Sequence, residues 1–164
     1  MLRKTMQDAI NEQIKNELYS AYLYLSMAAY FESQTLPGFA HWMRVQAKEE
    51  QGHAMKFFDF VVDRGGRVTL QAIDQPPIEF ESALDVFKKT LAHEQKVTGL
   101  VNRLYELALR ENDYPTQILL QWFITEQVEE EKNASQIVDK LQMIEDKCHA
   151  VLVMDQELGR RGKD

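Results

Sequence analysis

The sequence predicts an all-α fold: a four-helix bundle with a long crossover between helices two and three and a short fifth helix at the C-terminal end. Three observations predict it. Apolar residues recur every three or four positions along four stretches long enough for several helical turns each. Prolines and the Gly65-Gly66 pair fall at the ends of those stretches. One connection, 67–81, is far longer than the others and carries Pro76-Pro77.

The first helix is expected over about 5–34, with a seam of Ile10, Ile14, Glu17, Ala21, Tyr24, Ala28 and Phe31. The second begins near Gly38, just after Pro37, and stops at Gly65-Gly66, with Phe39, Met43, Gln46, Glu50, His53, Phe57 and Phe60 on its seam. The third begins near Ser82, an N-cap residue type with Asp85 three positions on, and fades at Asn112-Asp113. Its seam is Leu84, Phe87, Leu91, Glu94, Thr98, Val101, Tyr105 and Ala108. The fourth starts at Pro115, which suits a first turn because its missing N–H would be unpaired there. Its seam runs Thr116, Leu120, Phe123, Gln127, Glu130, Ala134, Ile137, Leu141. An amphipathic segment at about 146–158 forms the fifth helix, and 159–164 is a polar tail. Short connections make helices one and two, and three and four, antiparallel neighbours. The long one, extended at ~3.3 Å per residue, reaches roughly 50 Å, enough to run the length of the bundle and make helices two and three parallel.

A chain of 164 residues, 45% hydrophobic and 27% charged with a mean hydropathy of −0.42, suits a single domain over 1–164. No apolar run approaches the ~18 residues of a membrane span, and the N-terminus turns polar at once. A net charge of −7 disfavours nucleic acid and favours cations. The one cysteine, Cys148, is expected as a lone buried thiol and fits a cytoplasmic location.

Each seam is broken by polar residues near its middle, and the breaks repeat. Glu17 and Glu50 are 33 residues apart, as are Glu94 and Gln127; Glu50-His53 and Gln127-Glu130 are both i, i+3 pairs. The expected starts Thr5, Gly38, Ser82 and Pro115 precede Glu17, Glu50, Glu94 and Gln127 by 12 each, so these side chains meet at one level of the bundle. Residues at i and i+3 share a helix face, so Glu50 and His53 can grip one ion together. Glu17, Glu50, Glu94 and Glu130 would repel one another unless cations sat among them. Carboxylates with one imidazole suit a pair of Fe(II) ions, with Mn(II) or Zn(II) competing, and do not make a closed structural zinc site. Site one would use Glu17, Glu50 and His53, and site two Glu50, Glu94 and Gln127 or Glu130. Tyr24, two turns beyond Glu17, is placed to hydrogen-bond a ligand carboxylate or lend an electron during oxidation. His41, His93 and His149 are read as having no metal role, and Met43, Phe57 and Phe123 as core.

The stretches 16–24 and 49–54, His93-Glu94, 126–131, the Gly65-Gly66-Arg67-Val68 corner and Pro76-Pro77 together resemble the non-haem bacterial and archaeal ferritins over nearly the whole chain. The resemblance implies iron storage and detoxification. Fe2+ would be oxidised to Fe3+ by dioxygen or peroxide at an intra-subunit di-iron ferroxidase centre and stored as a ferric mineral. It also implies a homo-oligomeric shell of 24 subunits with the fifth helix around the four-fold axes, and a third, transit iron site at Glu49, Glu126, Glu129 and Glu130. Haem is not expected, because the haem-binding relatives carry methionine where this chain has Gln51. They also carry a second Glu-x-x-His where it reads Gln127-Val128-Glu129-Glu130. A neutral Gln127 weakens the second iron position, which suits a site that passes iron onward. Val151, Leu152, Met154 and Leu158 would leave a monomer sticky and point to contact with other subunits. The alternative function is a di-iron oxidase or oxygenase acting on a small organic substrate. A second alternative is a non-catalytic helical module whose polar layer fixes register.

Overall fold

A computed structural model describes residues 1–144 and 147–162, and its helices are α1 (Lys4–Ser33), α2 (Pro37–Asp63), α3 (Ala83–Arg110), α4 (Tyr114–Ile144) and α5 (Cys148–Leu158). Among the described residues there is no strand. The helix ends follow local chemistry. Pro37 opens α2 in its first turn, and the Ser82 hydroxyl caps α3 by accepting from the Asp85 backbone N–H at 3.1 Å. The first three helices stop in the same way. Thr35, Gly65 and Asn112 take φ of 60°, 70° and 53°. Leu36, Gly66 and Asp113 then return backbone N–H groups to the carbonyls of Phe31, Val61 and Ala108, at 3.0, 2.8 and 2.9 Å. This is the Schellman closure, which satisfies carbonyls the helix end would orphan.

The helix pairing is read from side chains. On α1 and α3, Ser20 meets His93, Tyr24 meets Glu94 and the Phe31 ring lies tilted against Phe87, so these helices are antiparallel. On α2 and α4, Gln46 meets Glu130, Phe57 meets Phe123 and Arg64 meets Asp113, again antiparallel. With α1–α2 and α3–α4 closed as hairpins, α2 and α3 run parallel. The connection 64–82 is a strap laid along α1. Asn11 holds Arg67 O and the Thr69 N–H, Gln7 holds the Arg67 N–H, and Ser26 donates to Pro77 O at 2.6 Å.

Two apolar clusters fill the bundle. One gathers Met27, Phe31, Phe39, Met43, Phe87 and Leu141 towards one end; the other gathers Met6, Ile10, Phe57, Val101, Leu120 and Phe123 towards the opposite end. Between them lies a slab of buried polar groups where continuous apolar packing would be cheaper. The fifth helix folds onto the start of α2, where Gly38 allows the close approach: a Cβ there would sit 1.7 Å from Asp155 O. Asp155 Oδ1 accepts the Phe39 backbone N–H at 2.9 Å.

Two expectations change. Cys148 is exposed, because the buried residues of α5, Met154, Asp155 and Leu158, lie on its later turns, and in its first turn Val151 is only partly buried against the core. For the same reason Met154 and Leu158 belong to this chain's own core, leaving Leu152 and Val153 exposed. Asp146, the expected start of the fifth helix, and the last two residues of the tail lie outside the described residues.

Candidate metal centre

Every expected mid-seam ligand is buried: Glu17, Glu50, His53, Glu94, Gln127 and Glu130 are each at most 5% exposed. They come from all four long helices, each at the level where its apolar seam breaks. Glu17, Glu50 and His53 offer ligand atoms all within 4.8 Å of one another, a span one metal ion can bridge. His53 Nδ1 lies 3.3 Å from Glu50 Oε2, and the edges of Trp122 and Phe123 hold its ring. A second group within the same span joins His53 to Glu126 and Glu130.

Glu94 stands opposite. Its Oε1 accepts from the Tyr24 hydroxyl, and its Oε2 accepts from Gln127 Nε2 at 3.1 Å. Gln127 also donates to the Glu94 carbonyl at 3.2 Å, so its amide nitrogen is turned to α3 and its oxygen is the end free to meet an ion. Tyr24 is fully buried, with the His93 ring edge-on at 5.9 Å. His93 itself hydrogen-bonds Ser20 at 2.8 Å, and burial lowers its pKa to about 4.

Of the four acidic residues expected as a transit site, Glu126 and Glu130 fall beside His53. Glu49 is instead ion-paired to Arg161 at 2.5 Å, and Glu129 is exposed on α4.

Two supporting residues carry no role in the sequence reading. Gln13 Nε2 donates to Glu17 Oε1 at 2.7 Å, and Gln46 Nε2 donates to Glu50 Oε1 at 3.1 Å and to Glu130 Oε2 at 2.8 Å. Each glutamine lies one turn before its glutamate, and the two are 33 residues apart, so the repeat that marks the expected ligands extends to their supports. That spacing is the signal that finds them.

The electrostatics are those of a site short of positive charge. Burial first, and Glu50 second, push the Glu17 pKa from 4.5 to about 8. Burial and then Glu94 push Glu130 to about 7. Glu50 is raised by burial, Glu94 and Glu130. Glu94 is raised by burial, against the hydrogen bonds of Tyr24 and Gln127. A layer that must hold protons to stay neutral can exchange them for divalent cations.

Comparison with known proteins agrees with this architecture. A family model described as ferritin-like domain matches residues 7–144. A bacterial non-heme ferritin of Bacteroides fragilis is 43% identical over 161 residues, 98% of this chain and 100% of the relative. One of Staphylococcus epidermidis is 41% identical over 98% of this chain and 97% of the relative. Among solved structures, an open pore ferritin from the hyperthermophilic archaeon Archaeoglobus fulgidus superposes with a TM-score of 0.97 at 50% identity, covering 98% of this chain and 99% of that one.

Proposed function

This chain belongs to the ferritin family and is an iron-storage protein with ferroxidase activity; we propose that the buried layer at mid-bundle is where it oxidises iron. The observation that carries the reading is the grouping of Glu17, Glu50 and His53 within 4.8 Å, inside a polar slab between two apolar clusters. One Fe2+ binds Glu17, Glu50 and His53. A second binds Glu50, Glu94 and either the Gln127 oxygen or Glu130. Bringing both ions to one level on shared Glu50 turns a chance encounter into a fixed geometry. Each ion gives one electron. Dioxygen takes the pair with two protons and leaves as hydrogen peroxide, or peroxide takes the pair with two protons and leaves as water. Tyr24, hydrogen-bonded to Glu94, would hold that carboxylate in place for the ion.

Fe3+ then leaves by way of the acidic residues Glu126 and Glu130, with Glu49 and Glu129 further out, towards a mineral core. The shell around that core is a homo-oligomer of 24 copies, each a single domain over 1–164, in the cytoplasm and without haem. Gln51 where a haem-binding methionine would stand supports the last point. A small-molecule oxidase or oxygenase is not favoured beside relatives named as ferritins.

The test is stopped-flow oxidation of two Fe2+ per chain. Glu94→Ala, which removes a ligand of site two, is expected to slow the rapid phase at least about tenfold while the helical fold is kept. An unchanged rapid phase would remove Glu94, and with it site two, from the centre.

A further inference from the structure

We infer that Arg161, carried by the C-terminal tail, is a positioning residue of the iron-oxidising centre, acting through the Gln46 amide on Glu50 and Glu130. The inference rests on the reading of Glu50 and Glu130 as iron ligands. Arg161 Nη2 donates to Gln46 Oε1 at 2.8 Å. Guanidinium has donors only, so it can meet only the oxygen of that amide. This turns both hydrogens of Gln46 Nε2 inward, where one goes to Glu50 on the same helix and the other to Glu130 on α4. Gln46 is 1% exposed, so no solvent competes for that orientation. It is the only described side chain that hydrogen-bonds both of these carboxylates.

The tail is itself held in place. The Arg161 guanidinium lies 4.3 Å over the Trp42 ring, donates to Trp42 O at 3.4 Å and pairs with Glu49. Its carbonyl meets His41 Nε2 at 2.8 Å. A few residues earlier, Asp155 and Gly38 lock α5 to the first turn of α2. A chain of contacts therefore runs from the docking of the fifth helix to two side chains of the metal layer. The guanidinium over Trp42, with Nη2 donating to Gln46 and Glu49 and Nη1 to Trp42 O, suits arginine better than lysine.

Arg161→Met keeps an unbranched apolar stem and removes every donor. Its test is an anaerobic Co(II) titration of the assembled protein, followed by visible absorption, beside the Fe2+ dependence of the initial oxidation rate. Arg161→Met is expected to weaken the Co(II) step assigned to Glu50 and Glu130 about tenfold, and to raise the half-saturating Fe2+ more than it lowers the maximal rate. Gln46→Met is expected to do the same. The double variant should match Gln46→Met alone, because Arg161 then has nothing to act through. Arg161→Lys should recover part of the loss. Additive effects in the double variant, or a wild-type Co(II) titration in Arg161→Met, overturn the inference. Glu50→Ala serves as the control. If it too leaves Co(II) binding and rapid oxidation intact, the assignment of the centre falls along with the inference. If Glu50→Ala abolishes them while Arg161→Met changes nothing, the inference alone falls.

Discussion

In the proposed second iron site Gln127 is the neutral residue among carboxylates, and its amide nitrogen is already committed to Glu94. Gln127→Glu would set a carboxylate about where that nitrogen lies, 3.1 Å from Glu94 Oε2. Without metal the two acids repel and one holds its proton; with metal the added charge tightens the second ion. Anaerobic titration is expected to show that ion held about tenfold more tightly. Repeated additions of Fe2+ with oxygen should show slower onward release after a normal first turnover. The raised acids also set a pH dependence. Glu17 in the metal-free protein titrates near 8 against 4.5 in the unfolded chain, and Glu130 near 7. Between those values the native state keeps protons that the unfolded state has lost. Stability therefore falls as pH rises through the window, by about 1.4 kcal/mol per pH unit for each group still protonated. Two groups work in the opposite sense: buried His93, held at about 4, up to its ordinary 6.5, and Arg64-paired Asp113 only near and below its ordinary 3.8. Above pH 5.5 the longer spans of Glu17 and Glu130 outweigh His93. The urea midpoint of the metal-free protein is thus expected to be lower at pH 8.5 than at pH 5.5, and a divalent cation should reverse the trend. A metal-free midpoint that rises over this range would mean the layer is charged without ions. At this scale the sequence named the ligand candidates because carboxylates on an apolar seam have few other uses. It left Gln13, Gln46 and Arg161 without a role because an amide on a seam is ordinary, and because the tail's return to α2 is a tertiary fact with no local signal.

At the scale of elements, the legible features were those with chemistry on the chain. Gly65 after α2 and Asn112 after α3 are residue types that tolerate positive φ, and Ser82 reads as a cap. Thr35 gave no such sign. It is β-branched yet sits at φ 60° to close the Schellman turn of α1, a conformation its side chain opposes. Thr35→Gly is accordingly expected to raise stability by about 0.5–1 kcal/mol, read as a shift of the urea midpoint without a change in slope. The fifth helix makes the contrary case. A Cβ at Gly38 would lie 1.7 Å from Asp155 O and 2.5 Å from its carbonyl carbon, both backbone atoms that cannot rotate away. Gly38→Ala must push α5 off the bundle, opening the seat of Met154 and Leu158. Limited proteolysis should then cut ahead of α5 at low protease, leaving a resistant four-helix fragment. Resistance equal to the unsubstituted protein would show that α2 shifts instead and the helix stays docked. The exposure of Cys148 follows from the same geometry. A short helix seated mainly by its later turns leaves its first residues outside, which hydrophobic spacing alone does not reveal.

Across the whole molecule, one chain buries its acidic layer well but leaves much apolar surface facing out. Tyr22, Leu25, Tyr114, Ile118, Val128, Leu152 and Val153 are each more than 45% exposed. A lone chain with a net charge of −7 stays soluble through charge, yet apolar surface distributed over several faces is better explained by neighbours on several sides than by one dimer contact. A closed assembly would cover those faces and enclose a volume, and that volume distinguishes storage from a resident di-iron centre. The buried layer of a single chain has room for about two ions; anything beyond that must lie outside the bundle and be retained by the assembly. The decisive quantity is therefore iron retained per chain after aerobic addition of Fe2+ and removal of loose metal by gel filtration, measured with the mass of the eluting particle. Many tens of iron atoms per chain in a particle of some hundreds of kilodaltons are expected. Glu94→Ala should fill more slowly but reach a similar load, since the enclosed volume does not depend on the rate of entry. Retention of only about two per chain, in a particle of any size, would mean that the layer holds its metal permanently and that oxidation there serves some other substrate.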